Sequence, residues 1–75
     1  MNGPDHVEVP IRDDHIRLGQ LLQLGGLVDS GSDAKAILAE GGVTVNGEPE
    51  DRRGRKVRPG DVVEAFGNTI VVVAG

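Results

Sequence analysis

Seventy-five residues with a formal net charge of −4 make one small domain; a chain this short buries only about 60–65% of its unfolded surface, which leaves little room for a deep active-site cleft. The chain has no Cys, which excludes a disulfide framework and a thiolate metal site. Its longest purely apolar run is Ile70 to Ala74, far short of the roughly 20 residues of a membrane helix, and no signal-peptide pattern opens it, so a soluble, cytoplasmic protein is expected.

Residues 1–5, MNGPD, read as a loose start. Val7, Val9 and Ile11 then alternate with polar or special residues, which is a strand pattern. Pro10 cannot donate to a ladder, so that strand belongs at an edge. Asp13 or Asp14 is placed to cap a first helix, whose apolar face is Leu18, Leu21 and Leu22 at i, i+3, i+4. Gln20 and Gln23 fall opposite, and Arg17 sits near the first turn. Gly25 and Gly26 provide a left-handed stop, after which Leu27 and Val28 fold back onto the core. Ser30 or Ser32 opens a second helix with Ala34, Ile37 and Leu38 buried and Lys35 on the flank. Gly41 and Gly42 end it by the same device. Few residues join the helices, so they pack as neighbours.

Val43 to Val45 reads as a strand with Thr44 outward. Asn46-Gly47 is a type I′ hairpin signal, because both central residues need positive φ. Pro49 marks another edge. Pro59-Gly60 reads as a type II turn. Asp61–Phe66 and Thr69–Val73 form a last hairpin around Gly67-Asn68. Ile70 to Val73 is apolar on both sides, which suits a strand covered on two faces.

Catalytic sets are missing. His6 and His15 have no third donor at ligand-like spacing and read as solvated surface residues. Asp13-Asp14 reads as a cap and dipole partner. Gly41-Gly42 is followed by no Gly-Lys-Ser/Thr, so it is a helix stop and not a phosphate loop. Neither catalysis, a metal nor a cofactor is expected.

One feature asks for a partner. Arg52, Arg53, Arg55, Lys56 and Arg58 place five cations in seven residues. Like charges so dense repel each other, and an anionic ligand relieves that repulsion. Arginine presents a planar fork that matches phosphate oxygens, and Gly54 lets the backbone curve around them. A solvated turn kept polar for solubility is the plainer reading of the same run. The net charge opposes a polyanion, but it is unevenly spread: residues 1–31 carry two Arg against five acids, whereas the middle of the chain holds six cations. Screening over about 8 Å at physiological salt makes the loop the dominant local field, with Glu48, Glu50 and Asp51 weakening it. Phe66 is the only aromatic residue, so a run of bases cannot be held by stacking. Recognition of structured RNA by shape and phosphate contacts remains. Five phosphate contacts imply a log–log salt slope on the order of −4. The second helix N-terminus can assist an anion, with Lys35 nearest, although Asp29 and Asp33 compete there.

RLGQLLQLGGLVDSGSDAKAILAEGGVTVNG followed by KVRPGDVVE resembles the RNA-binding domain first known from ribosomal protein S-four, the alpha-L motif, and in particular the small stand-alone YbcJ-like family. The resemblance covers roughly Ile16 to Ala74. It implies an α+β fold, two packed short helices on a small mostly antiparallel sheet, with RNA across the helix pair and the following loop. It divides the chain into an extension with an edge strand over 1–15 and an RNA-binding domain over 16–75. Carried over by position, it implies RNA-facing roles for Arg17, Ser32, Lys35, Arg52, Arg53, Arg55 and Lys56, to which the basic loop adds Arg58. Larger members often carry an acidic residue where this chain has Gly19, and Arg where it has Gly31. The implied role is non-catalytic binding of rRNA or tRNA, at the ribosome or its assembly intermediates, by a monomer.

Two other readings stand beside it. VNGEPE and VRPGDVVE also resemble ubiquitin-like sulfur carriers, and the chain ends in Gly75; such carriers need a terminal Gly-Gly, whereas Ala74 precedes Gly75 here. In the other, the basic loop docks on an acidic protein.

Overall fold

The computed structural model describes residues 6–75; the segment read as a loose start lies outside the described residues. Nine elements follow in order: β1 (His6–Ile11), β2 (Ile16–Arg17), α1 (Leu18–Leu24), α2 (Gly31–Ala39), β3 (Val43–Val45), β4 (Glu48–Pro49), β5 (Lys56–Val57), β6 (Val62–Ala65) and β7 (Asn68–Ala74). A five-stranded sheet has the order β1-β7-β6-β3-β4, and β2 pairs with β5 in a separate ribbon. Only β1 and β7 run parallel; the other pairs are antiparallel. This is the expected α+β architecture of two short helices on a mostly antiparallel sheet.

Both proline-bearing strands lie at edges, β1 with Pro10 and β4 with Pro49, because neither can supply a full row of N–H donors. Val9 and Ile11 of β1 reach the core. Leu18, Leu21 and Leu22 of α1 and Leu38 of α2 are fully buried against Val43, Val45, Val63, Ile70 and Val72 of the sheet. Each such side chain contributes about 1.5–3 kcal/mol relative to exposure. Val28 is buried and Leu27 packs against the core, as expected.

The start of α1 differs from expectation. Neither Asp13 nor Asp14 caps it; both lie in a bend. Ile16 and Arg17 pair with Val57 and Lys56 instead, and the helix begins at Leu18 with no side-chain cap. The first donors of α1 are satisfied by the basic loop: Leu18 N–H donates to the Arg55 carbonyl at 2.8 Å and Gly19 N–H to the Arg53 carbonyl at 2.9 Å. A helix start leaves such donors without intrahelical partners, so the loop and the helix complete each other. At the other end, Gly26 at φ 79 forms a Schellman stop, with Gly26 N–H to the Gln23 carbonyl and Leu27 N–H to the Leu22 carbonyl.

For α2, Ser30 is the cap, its hydroxyl accepting the Asp33 N–H at 3.2 Å. Gly41 takes the left-handed conformation, but Gly42 does not. Gly42 is there for another reason: a Cβ on it would stand 2.9 Å from Cε1 of Phe66.

The Asn46-Gly47 turn has positive φ at both residues, as type I′ requires, and Asn46 also binds Asp61 and the Val62 N–H through its amide. Pro59-Gly60 forms the expected turn, with Gly60 at φ 97 and Asp61 N–H on the Arg58 carbonyl. The last hairpin is a correction. Its two turn residues are Phe66 and Gly67, with Ala65 opposite Asn68, so β7 begins one residue earlier than the sequence indicates. Phe66 has φ 52, a conformation costing roughly 1–2 kcal/mol for a side-chain-bearing residue, and its ring contact with Gly42 offsets part of that. A second correction concerns β7 itself. Ile70 and Val72 face the core, but Val71 and Val73 are half-buried and no helix covers their face among the described residues.

Candidate nucleic-acid interface

The candidate surface is built where the 50–57 loop crosses the start of α1. Glu50 closes that loop. It is 8% exposed, and a buried carboxylate must be paired. One of its oxygens accepts the N–H groups of Asp51 and Arg52 and the Arg52 Nε, at 3.0–3.2 Å; the other accepts Arg55 Nη1 at 3.1 Å. Hydrogen bonds from the Arg52 side chain lead this set. With the loop N–H groups and Arg55 they outweigh burial and hold the Glu50 pKa down to about 2. The same carboxylate raises the pKa of Arg52.

In the sequence reading Glu50 only weakens the field, but in the fold Arg52 and Arg55 close the loop on it. Among the described residues, no carboxylate lies within 4.0 Å of the side chains of Arg12, Arg17, Lys35, Arg53, Lys56 or Arg58; of these, Arg17, Arg53 and Lys56 gather where the loop meets α1. Arg17 and Lys56 are brought side by side by the β2–β5 pairing. Arg53 reaches the same neighbourhood because its carbonyl is tied to α1.

Two adjoining hollows result. One is lined by Arg17, Gly19, Gln20, Gln23, Gly31, Arg53 and Gly54; the other by Arg52, Gly54, Arg55 and Lys56. Gly54 belongs to both and joins them. Of the three glycines of the first hollow, Gly19 makes room for the Arg53 stem and Gly31 stands beside its guanidinium. A Cβ on Gly19 would meet Arg53 Cγ at 3.0 Å, and one on Gly31 would stand 3.8 Å from its Nη1. The guanidinium therefore reaches the N-terminal end of α2 from the loop, beside the position where larger relatives were expected to carry Arg on the helix.

The other expected residues fall outside this constellation. Ser32 and Lys35 are exposed on α2 but line neither hollow. Arg58 is exposed in the turn after β5, its N–H donates to Asp61 at 2.8 Å, and its charge helps lower the Asp14 pKa, behind the larger effect of the His15 hydrogen bond. Sequence reasoning passed over Gln20 and Gln23. Their i, i+3 spacing already made them neighbours on the face of α1 opposite the buried leucines. His15 Nδ1 donates to the Asp14 carboxylate at 2.7 Å on the surface; nothing is described of the His6 side chain. No described helix is long and apolar enough to cross a membrane.

Comparison with known proteins agrees with this geometry. The S4 domain family matches residues 9–73. A Bacillus subtilis protein named "Probable ribosome maturation protein RlbA" is 48% identical over 66 residues, 85% of this chain and 93% of that one. An Escherichia coli protein named "Putative RNA-binding protein YbcJ" is 42% identical over 60 residues, 80% of this chain and 86% of the relative. The solution structure of YbcJ from E. coli, described as revealing an alpha-L motif involved in RNA binding, superposes with a TM-score of 0.70 at 35% identity, covering 99% of this chain and 92% of that one. None of these supports the sulfur-carrier alternative. The order of elements, the loop-capped first helix and these matches together show that the chain belongs to the S4 domain family.

Proposed function

We propose that the protein binds structured RNA through phosphate contacts, with Arg17, Arg53 and Lys56 as the principal cations and Gln20 and Gln23 as neutral hydrogen-bonding groups beside them. The observation that carries this reading is the tie between the loop carbonyls and the α1 donors. Together with the β2–β5 pairing, it supports a rim of three cations without carboxylate partners. A planar guanidinium matches phosphate oxygens in pairs, and the amides of Gln can donate to 2′-hydroxyls, by which RNA is told from DNA. With one aromatic residue in the chain, the target is a folded RNA whose shape presents several phosphates, and not a single strand held by stacking.

The name of the B. subtilis relative, a probable ribosome maturation protein, supports a ribosomal RNA target; tRNA is the second structured candidate. On this reading the chain acts as a non-catalytic monomer in the cytoplasm, on ribosomes or their assembly intermediates. Ser32, Lys35 and Arg58 then add peripheral charge or hydrogen bonds, and Arg52 and Arg55 serve chiefly to shape the loop.

Crosslinking in cells followed by sequencing of the bound RNA tests the target. Enrichment of defined rRNA or tRNA segments, lost in Arg53→Ala with Lys56→Ala, is the expected result. Equal recovery of all abundant RNA, indifferent to that variant, would overturn the proposal.

A further inference from the structure

The uncovered face of β7 carries a second message. Directly paired residues point to the same side of a sheet. The register sets Glu8 beside Val71, Val71 beside Val62, and Glu64 beside both Thr69 and Thr44. One continuous outer face results, with Val62, Val71 and Val73 at its middle. All three are half-buried, and none packs against the hydrophobic core. Phe66 stands at one end, 58% exposed, its ring seated on Gly42. Glu8 and Glu64 are exposed in the same layer, and the described side chains on that face of the strands include no Lys or Arg. A strand facing water on one side ordinarily alternates apolar with polar residues; β7 does not.

We propose that this outer face docks a protein whose contact patch has an apolar centre flanked by Lys or Arg. The charge pattern selects that occupant. Two carboxylates with no Lys or Arg among the described side chains beside them repel the phosphates of RNA and the anionic surface of a membrane. A second copy of the chain, related by a two-fold axis, presents the same acidic patch to itself and offers no cation in return. A basic-rimmed protein answers both carboxylates and covers the valines and the ring. The molecule measures 31 × 28 × 23 Å, against a screening length of about 8 Å, so this face and the cationic rim on the helix side do not cancel. The chain is thereby a two-sided adaptor, with RNA on one side and a protein on the other.

The test uses the full chain in cells, with Val71→p-benzoylphenylalanine as a photocrosslinker and the adduct mapped by mass spectrometry. One discrete protein adduct is expected, its crosslinked peptide apolar and flanked by Lys or Arg. Its yield should fall about fivefold when Glu8→Gln and Glu64→Gln are added, as expected for the loss of two exposed ion pairs. The identified protein, purified, should bind the unmodified chain and lose that binding with Val71→Gln. Circular dichroism of the Glu8→Gln/Glu64→Gln chain, whose changes are at exposed sites, checks that its fold is kept. Adducts only with RNA, only with a second copy, or with no discrete protein would each overturn the proposal, as would a yield indifferent to the two glutamate changes. With purified components, Arg53→Ala should leave protein docking unchanged while it weakens RNA binding, so a failure of the RNA reading and a failure of this one are told apart.

Discussion

Arg53 lies across Gly19: its carbonyl accepts the Gly19 N–H at 2.9 Å, and its Cγ comes within 3.0 Å of where a Cβ at position 19 would stand. The glycine is thus the seat of the arginine. Gly19→Ala gains helix propensity of about 1 kcal/mol, and crowding of the Arg53 stem opposes that gain. Stability should change by less than about 1 kcal/mol, read by urea denaturation. RNA affinity should nonetheless fall about three- to tenfold, close to the loss in Arg53→Ala, as expected for a displaced charge-assisted contact worth about 1 kcal/mol. Wild-type affinity in Gly19→Ala would show that Arg53 is not held for the ligand.

Glu50 separates a structural effect from a charge effect. Removing a carboxylate beside five cations should strengthen RNA binding if only net charge mattered. Glu50 instead organises the loop through Arg52, Arg55 and two backbone N–H groups. Glu50→Gln should destabilise the fold by about 1–3 kcal/mol and weaken RNA binding, measured by denaturation and by titration with the same RNA.

The same carboxylate predicts the acid response. Its pKa is lowered on folding from 4.5 to about 2. A depressed folded-state pKa means the stabilisation is complete above the unfolded value and is lost as pH falls through the folded one. Stability should therefore decline between about pH 4.5 and pH 2. In Glu50→Gln that part of the decline should be missing, as read from thermal unfolding across the range.

Salt dependence counts the unpaired cations at the rim. With Arg52 and Arg55 engaged by Glu50, three phosphate contacts by Arg17, Arg53 and Lys56 give a log–log slope of about −3, shallower than five cations imply. Arg53→Ala should reduce the slope by about 1, and Arg52→Ala should change it much less. A joint replacement of Arg52, Arg53 and Arg55 is a poor test of binding, because it strips Glu50 of its partners.

Thr44 Oγ1 is the one buried side-chain polar atom without a hydrogen-bond partner among the described residues. Thr44→Val removes that hydroxyl at nearly constant shape in a strand, where Val is favoured. It should raise stability by about 1 kcal/mol, measured by chemical denaturation.

Local chemistry in the sequence accounts for much of this molecule. Leu18, Leu21 and Leu22 announce the buried face of a helix, Gly25-Gly26 its stop, Asn46-Gly47 and Pro59-Gly60 their turns, and Pro10 and Pro49 the sheet edges, because each depends on the torsions or periodicity of a few neighbouring residues. The run from Arg52 to Arg58 likewise marks where the positive charge is concentrated. What the chain could not announce depends on residues far apart in sequence. The cap of α1 comes from carbonyls more than thirty positions away, whereas local pattern alone points to Asp13 and Asp14, which do not cap it. Glu50 read as a nuisance to the field until folding buried it among the arginines. Phe66 entered a turn whose torsions favour Asn or Gly because Gly42, just before β3, left room for its ring. Which cations stay open, and which face of β7 stays bare, follow from tertiary packing, since only packing determines which carboxylate meets which guanidinium and which side of a strand the helices cover.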